Sequence, residues 1–427
     1  MSWQKTKISE FLTERKDRFK PDKANELGLP RIEKIDFGGT IYINNFKPTK
    51  TGMILVKNGD LVISGINVEK GALAIYKGET DALATIHYSS YTYDKDKIDI
   101  DFFKWYLQSN IFRNIIKEQV KGGIKTEIKP KTFLNLEIIL PDLTTQKQIA
   151  SKLNKLEWNL KDLDFTCFCN KELIYKLRQS ILQDAIQGKL VPQNPNDEPA
   201  SELLKKIKEE KEQLIKEGKL KREKLNYNSI NQVPYELPNT WQWCKFYEIA
   251  NIASNLVSPD KYLDLPHIAP NNIEKGNGKL LQYNSVRADN VISCNHHFFA
   301  GQILYSKIRP NLSKLVIVDF EGLCSADMYP INSYIETSYL KLYMLSKIFL
   351  SYSTKNDTRV AMPKINQEEL NNIPVPLPPK AEQKRIADKV DKLMQLCDKL
   401  ENENNNAQKA SSELLQSIMQ KYFTPEV

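Results

Sequence analysis

The chain has 427 residues, 41% of them hydrophobic, and its 61 lysines and arginines against 53 acidic residues give a formal net charge of +8. This content can supply two cores of ordinary domain size, and the moderate charge fits either nucleic-acid binding or an ordinary soluble surface. No segment approaches the ~18 to 20 apolar residues of a membrane span, and the cysteines lack the CxxC spacing of a zinc site. We therefore expect a cytoplasmic protein of two domains without a structural metal.

Residues 1–143 combine short β-like runs, such as MILVKNGDLVIS and LEIIL, with one helix-like stretch around Phe102 to Lys117. Runs of alternating apolar residues favour strands, and apolar residues three and four apart favour a helix. The mixture predicts a compact domain of the α/β (α+β) class.

The apolar period then changes to alternating steps of four and three between Ile149 and Ile181. A repeat of 3.5 residues is typical of a coiled-coil seam. It predicts a helix from Thr145 to Gln187, roughly 64 Å long at ~1.5 Å per residue. A Pro-rich connector with a short charged helix follows.

The second half of the chain repeats the first. LPDLTTQKQIASKLNKL from Leu140 aligns with LPPKAEQKRIADKVDKL from Leu377, and the offset of 383 − 146 = 237 needs no gap from about Lys104 to Gln183. Upstream the match loosens to GDLVIS against GQILYS, with an offset of 301 − 59 = 242, and Trp243 and Lys245 echo Trp3 and Lys5. The repeat predicts one module used twice.

We accordingly predict five segments: a first recognition-type domain (1–143), a long helix (144–187), a connector (188–235), a second domain (236–378) and a second long helix (379–427). Both helical seams become polar in the middle, so antiparallel pairing would set polar centre against polar centre and give an internal pseudo-twofold. The alternative is that each helix packs on its own domain.

Catalytic motifs are missing from the sequence. GNGKLL at Gly276 lacks both the spacing of a phosphate-binding P-loop and the third glycine of a dinucleotide-binding loop. LPP at Leu377 resembles the proline-containing tetrapeptide of amino-methyltransferases, but Lys380 follows where that motif requires an aromatic residue. The segment is better explained as the entry to a helix. We expect no catalytic residue and no metal ligand in this chain.

Basic loops recur at corresponding places in both halves. YSKIRPNLSKL from Tyr305 matches SGINVEKGAL from Ser64, and KGGIKTEIKPK from Lys121 matches TKNDTRVAMPK from Thr354. Arginine and asparagine make bidentate contacts with base edges, whereas lysine mostly contacts phosphate; singly, each could equally be an ordinary exposed residue. The candidate DNA-binding residues are Asn67, Lys70, Lys121, Lys125, Asn272, Lys275, Lys307, Arg309, Asn311, Lys314 and Arg359.

With these features the sequence resembles the specificity subunit of a Type I restriction-modification system. The resemblance is carried by the two repeated helix segments, by QSILQDAIQGKLVPQNPNDEPASELL and by LYSKIRPNLSKL, and with the duplicated layout it covers most of the chain. It implies two target-recognition domains, each reading half of a split site in double-stranded DNA. It also implies that a pair of long helices holds them apart in an antiparallel coiled coil.

The resemblance further implies that the helices dock two methyltransferase subunits and, where a nuclease complex forms, two restriction/translocase subunits. S-adenosylmethionine, ATP and Mg would then be bound by those partners and no cofactor by this chain. The first half has Thr145 where the second has Glu382, which implies fewer polar docking contacts on the first side. The candidate partner-binding residues are Gln146, Leu156, Leu163, Gln383, Leu393 and Leu400.

Two other interpretations fit the same sequence. A coiled-coil scaffold joining two protein-binding domains would have no salt-dependent affinity for DNA. The chain could instead be the recognition subunit of another modification or phage-defence complex, which its neighbouring genes would distinguish.

Overall fold

In a computed structural model of the chain, the described residues are 3–44, 48–66, 72–120, 127–221, 233–354 and 363–424. The chain divides into two compact units. The first comprises Met1–Cys169 and Asn404–Val427, and the second comprises Asn170–Glu403. Each unit therefore holds one sheet-rich domain and part of each long helix.

The first unit contains short strands and helices, and the single helix-like stretch predicted around Phe102 to Lys117 is divided into two helices at Ser109. Its strands are β1 (Gln4–Lys7), β2 (Leu12–Glu14), β3 (Arg18–Phe19), β4 (Arg31–Ile35), β5 (Ile41–Asn44), β6 (Met53–Val56), β7 (Leu61–Ser64), β8 (Leu73–Ile75), β9 (Ala82–Thr85), β10 (Tyr88–Tyr93) and β11 (Glu137–Leu140). Its helices are α1 (Pro21–Glu26), α2 (Ile100–Gln108), α3 (Asn110–Gln119), α4 (Pro130–Leu134) and the first part of α5 (Leu143–Ile186).

These strands form three sheets. A four-stranded sheet has the order β2-β10-β7-β8, a five-stranded sheet has the order β3-β6-β9-β4-β5, and β1 pairs with β11. Within the five-stranded sheet β4 and β9 are parallel, and the other pairs are antiparallel.

The second unit adds α6 of the connector and a second set of strands and helices. They are α6 (Ala200–Lys216), β12 (Gln242–Lys245), α7 (Phe246–Ile249), β13 (Ala250–Ile252), β14 (Leu256–Val257), β15 (Pro266–Ile268), β16 (Asn284–Ser285), β17 (Asn295–Phe298), β18 (Ile303–Ser306), β19 (Leu315–Ile317), β20 (Gly322–Cys324), β21 (Met328–Ser333), α8 (Thr337–Leu345), α9 (Lys347–Ser353), α10 (Gln367–Asn371), β22 (Pro374–Leu377) and α11 (Lys380–Phe423).

The sheets of the second unit repeat those of the first. Their orders are β13-β21-β18-β19 and β14-β17-β20-β15-β16, and β12 pairs with β22. Every strand thus has a counterpart eleven labels later, including the strands of the region where the sequence match is lost. The predicted fold, two α/β (α+β) domains in one chain joined by long helices, is confirmed.

Alternation along the central strand shows how the layers pack. In β7, Leu61 and Ile63 belong to the core shared with the helices, whereas Val62 belongs to the core facing the five-stranded sheet. In β18, Ile303 and Tyr305 face the helices and Leu304 faces the other sheet. Both faces of the four-stranded sheet are covered, which explains why every residue of β7 and of β18 is buried.

One detail of the repeat corrects the sequence alignment. β12 begins 242 − 4 = 238 residues after β1, so Trp3 corresponds to Trp241 and Lys7 to Lys245. The predicted match of Trp3 with Trp243 was wrong. Its short shared pattern was shifted by two residues, which preserves the alternation of a strand.

The two long helices have the same length and bounds related by one offset, 380 − 143 = 237 and 423 − 186 = 237. In the first unit Lys152 lies over the Tyr422 ring, 5.6 Å from its centre, and Asn404 Nδ2 donates to the Cys167 carbonyl over 2.9 Å. Since the α11 number falls as the α5 number rises, the helices pair antiparallel. In the second unit Arg178 pairs with Asp398, which continues this direction.

The described residues also set some limits. None of their helices is both long and apolar enough to cross a membrane. Within the same residues, no group of three His, Cys, Asp or Glu side chains is arranged to hold a metal ion.

Candidate nucleic-acid interface

The loop between β18 and β19 has an unusual backbone. Arg309 (φ +47°) and Ser313 (φ +45°) are both left-handed, and they flank the 3-10 turn Pro310–Leu312. A left-handed residue other than glycine costs on the order of 1 to 3 kcal/mol and is found mostly where surrounding contacts hold it for a function. The residue before a proline is further restricted, which makes Arg309 the more strained position.

Hydrogen bonds on both sides hold this loop in place. Arg309 N donates to the Pro363 carbonyl over 2.7 Å, and Ile365 N donates to the Lys307 carbonyl over 3.0 Å. The first unit has the second of these bonds too, from Ile128 N to the Gly65 carbonyl over 2.8 Å. The residues correspond by the strand and helix offsets, 307 − 65 = 242 and 365 − 128 = 237. The described ends of these loops, Gly65 with Ile128 and Lys307 with Ile365, therefore occupy equivalent places in the two domains.

Three of the predicted DNA-binding residues of the second domain point into solvent: Lys275, Arg309 and Asn311 are exposed. Asp327, whose backbone carbonyl accepts from Lys307 N over 3.0 Å, pairs through its carboxylate with Lys364 over 3.2 Å. Within the described residues no carboxylate lies within ion-pair distance of Arg309. An exposed arginine has the fork of donors that makes bidentate contacts with guanine in DNA complexes.

Three other predicted residues use their polar groups inside the domain. Asn272 accepts from Ala269 N (2.9 Å) and donates to the Gln282 carbonyl (2.8 Å), so its amide fixes a turn. The Lys314 ammonium donates to the Pro270 carbonyl over 2.6 Å, and the Lys307 ammonium lies 5.2 Å from the centre of the Tyr329 ring. Asn272, Lys307 and Lys314 thus also make contacts within the domain, and the expectation that the six residues reach DNA stays a prediction.

The remaining predicted DNA-binding residues lie outside the described residues, and for them the expectation stands as a prediction. They are Asn67, Lys70, Lys121, Lys125 and Arg359.

Both glutamines predicted to bind a partner are buried, Gln146 at 2% and Gln383 at 0% exposure. Gln146 Oε1 accepts from Asp99 N over 2.8 Å, and its Nε2 donates to the Pro141 carbonyl over 2.9 Å. Gln383 makes the same two bonds, with Glu336 N at 2.9 Å and with the Pro378 carbonyl at 2.8 Å. This corrects the prediction: each amide ties the start of a long helix to the start of α2 or α8 and is buried inside its unit.

Glu382 is likewise internal. It is fully buried and accepts from Trp241 Nε1 over 3.0 Å and from Gln193 Nε2 over 2.6 Å. Burial raises the pKa of this carboxyl, and the two hydrogen bonds only partly oppose that effect. Its contacts bind the connector to the start of α11, so the difference between Glu382 and Thr145 reflects the connector rather than a docking contact.

The predicted leucines divide into two groups. Leu156 and Leu393 are half-buried along the helices, whereas Leu163 and Leu400 are 36% and 47% exposed. Two further leucines are equally exposed, Leu177 at 45% and Leu414 at 47%, although the apolar period placed them in the seam. Leu163 and Leu400 correspond to each other by the offset 400 − 163 = 237, and Leu177 and Leu414 correspond by 414 − 177 = 237. This repetition in the sequence was the signal that could have identified Leu177 and Leu414.

The folded chain can now be compared with known proteins. A family model described as "Type I restriction modification DNA specificity domain" matches residues 238–409. The EcoDI specificity subunit of a Type I restriction enzyme from Escherichia coli is 34% identical over 391 residues, which cover 90% of this chain and 80% of the relative. The chain belongs to the Type I restriction enzyme specificity subunits. The members of this family are non-catalytic, and so is this chain.

Another member of the family and two solved structures show how far the similarity extends. The EcoEI specificity subunit from Escherichia coli is 34% identical over 262 residues, 58% of this chain and 43% of that subunit. Two solved structures, each 15% identical, share the fold over 100% of this chain. One comes from work on complex assembly and conformational transition of the type I R-M system (98% of that chain, TM-score 0.66). The other is the HsdS subunit from Thermoanaerobacter tengcongensis (97% of that chain, TM-score 0.55).

Proposed function

We propose that this specificity subunit acts in the cytoplasm and reads an asymmetric, bipartite DNA site, one block with each recognition domain, while its long helices dock two methyltransferase subunits. The observation that carries the proposal is the duplication of one strand order with different residues in the loops. An identical frame with different loop residues is what two readers of unlike sequences require.

The chemistry of the exposed loop residues supports a role in DNA reading. Arg309 has the fork of donors that matches guanine, Asn311 has the amide that matches adenine, and Lys275 suits a phosphate. The left-handed backbone at Arg309 fixes the direction in which its side chain leaves the main chain before DNA arrives. A DNA-binding loop that is already ordered loses less conformational entropy when it binds.

The exposed leucines support docking of two copies of one partner. The first unit presents Leu163 from α5 with Leu414 from α11, and the second presents Leu400 from α11 with Leu177 from α5. Each unit thus offers the same pair, with the helices exchanged. In the proposal S-adenosylmethionine is bound by the methyltransferase subunits, and ATP and Mg by any restriction/translocase subunits.

The proposal can be tested by mapping methylated bases genome-wide, by single-molecule sequencing, in cells that carry the chain and its methyltransferase. We expect two short, unequal blocks around an unread spacer. Replacing residues 1–143 by the matching domain of another specificity subunit should change one block and leave the other intact. A single continuous motif, or a change in both blocks, would contradict the proposal.

A further inference from the structure

A left-handed glycine has the same role in both recognition domains. Gly278 (φ +67°) lies in the turn between β15 and β16, where an added Cβ would be 2.5 Å from Lys341 Cε and 3.4 Å from the Leu315 carbonyl oxygen. Only glycine fits there. The turn therefore touches both the four-stranded sheet and helix α8.

The first domain has the equivalent contact although its sequence cannot be aligned there. Gly39 (φ +84°) lies between β4 and β5, and an added Cβ would be 2.9 Å from the Leu73 carbonyl oxygen and 3.4 Å from Lys104 Cε. These partners correspond to those of the second domain, since 315 − 73 = 242 and 341 − 104 = 237. In both domains this turn, here called the junction turn, fixes the five-stranded sheet to the rest of the domain.

In the second domain an ionic link joins the junction turn to the helices, and among the described residues of the first domain no such link is present. Lys279, next to Gly278, pairs through Nζ with Asp398 of α11 over 3.0 Å. Asp398 also accepts from Arg178 of α5 over 2.6 Å, and Arg178 pairs with Glu401 over 3.1 Å. At the position of Asp398, the first copy has Lys161 (398 − 237 = 161), which pairs with Glu157 of its own helix over 2.9 Å.

The same turn also contacts the DNA-reading loop. Gly276 N donates to the Ser313 carbonyl over 3.3 Å, and Ser313 is the second left-handed residue of the loop that presents Arg309. A continuous set of contacts thus leads from both helices through Lys279 to the reading loop. Arg178 is only 19% exposed, whereas Asp398 and Lys279 are 37% and 56% exposed. A network of charges around one largely buried arginine fixes geometry better than an isolated surface pair.

From this arrangement we propose that Lys279, Asp398 and Arg178 are positioning residues: they set the orientation of the second recognition domain on the helices and thereby restrict the spacer length that the assembly accepts. The inference rests on the proposed function. It assigns spacer selectivity in part to a junction within one domain, in addition to the helices themselves.

The test uses the assembly of the full chain with its methyltransferase. Binding is measured to duplexes that carry both mapped blocks with the native spacer or with a spacer one base pair shorter or longer. Lys279→Ala and Asp398→Asn should lower the preference for the native spacer by about fivefold, because the orientation of the domain on the helices is less tightly fixed. The methylated block sequences should stay the same.

Two variants serve as controls. Lys279→Arg keeps the ion pair and should keep the spacer preference. Lys161→Ala removes the lysine at the position in α5 that corresponds to Asp398 and should leave the preference unchanged. A thermal unfolding curve for each variant shows that the chain is folded.

The alternative outcomes are distinct. An equal loss of affinity at every spacer would identify Lys279 as a simple phosphate contact and overturn the inference, as would an unchanged preference in both variants. If the unaltered assembly binds no bipartite site, the proposed function itself fails, and the inference fails with it.

Discussion

The long helices and the recognition domains have diverged to different degrees. Helices α5 and α11 keep a single offset of 237 from first residue to last, whereas the offset within the domains changes from 238 at β1 to 242 at β7. The strand order of the domains is nevertheless the same. The comparison shows that both parts keep the same arrangement of the backbone. Insertions and altered side chains are concentrated in the domains, which in the proposed function each contact a different DNA sequence.

The largest expected effect tests the part that is equal in both copies. Gln146→Ala and Gln383→Ala should each destabilise their unit by about 2 to 4 kcal/mol, because each leaves a buried N–H and a buried carbonyl without a partner. Chemical denaturation and amide exchange at Asp99 and Glu336 would measure the loss. Gln395→Ala, at an exposed position of α11, is the control and should change stability by less than about 0.5 kcal/mol. Unchanged exchange at both amides would argue against a stabilising role for the hydrogen bonds of Gln146 and Gln383.

The next largest effect tests the recognition domains, whose loop residues differ between the two copies. Arg309→Ala should weaken binding of the assembly to its DNA by about 1 to 3 kcal/mol and relax one position of a single block, because a bidentate base contact is lost. Arg287→Ala removes the same charge from the same domain, but Arg287 already pairs with Asp264 over 3.0 Å. Fluorescence titrations with duplexes substituted base by base would compare them. If the two variants lost the same amount of DNA affinity, Arg309 would contribute only its positive charge and no base contact.

A smaller effect would sharpen the comparison of the helices. Leu163→Ala and Leu400→Ala should each weaken methyltransferase binding by roughly 1 kcal/mol, since a partner would cover each leucine. Leu173 is more exposed, at 60%, but its counterpart is Ala410 (410 − 173 = 237), so Leu173→Ala is the matched control. Calorimetric titration of the methyltransferase into the chain measures all three variants. A Leu173 effect as large as the others would show that repetition does not mark the docking surface.

The smallest expected effect is a dependence on pH that belongs to the second copy alone. Because burial raises the pKa of Glu382 in the folded chain, its contribution to stability is largest below the ordinary glutamate pKa of about 4.3 and falls as pH rises through the raised value. Glu382→Gln removes this titration, so the stability of the variant relative to the original chain should increase with pH in that window. Unfolding measured at several pH values checks the sign, and a difference independent of pH would refute it.

The helices were predictable from the sequence because their pattern is local. The apolar period gave Thr145 to Gln187, and the helix runs Leu143–Ile186. The five-stranded sheets were not predictable, since each of their strands is short and its partners are distant in sequence. The repeat could not supply them either, because the two copies share no alignable residues there.

The candidate site was predictable only in outline. Sequence identified the loop of Arg309 but could not tell an exposed lysine from Lys314, whose ammonium binds the Pro270 carbonyl. It also took the two repeated glutamines for contacts with a partner. A polar residue repeated at a helix start fits either a surface contact or a buried bond, and only the position of the neighbouring backbone decides.

The hydrogen bond between Asn404 and the carbonyl of Cys167 has a consequence for the history of the chain, because the two residues are counterparts, 404 − 167 = 237. In a symmetric pair of identical single-copy chains, the position that meets its own counterpart must carry the same side chain twice. Two cysteines or two asparagines would then face each other. Fusion of the copies into one chain releases that constraint, so that the two facing positions can carry different side chains, Asn404 on one helix and Cys167 on the other.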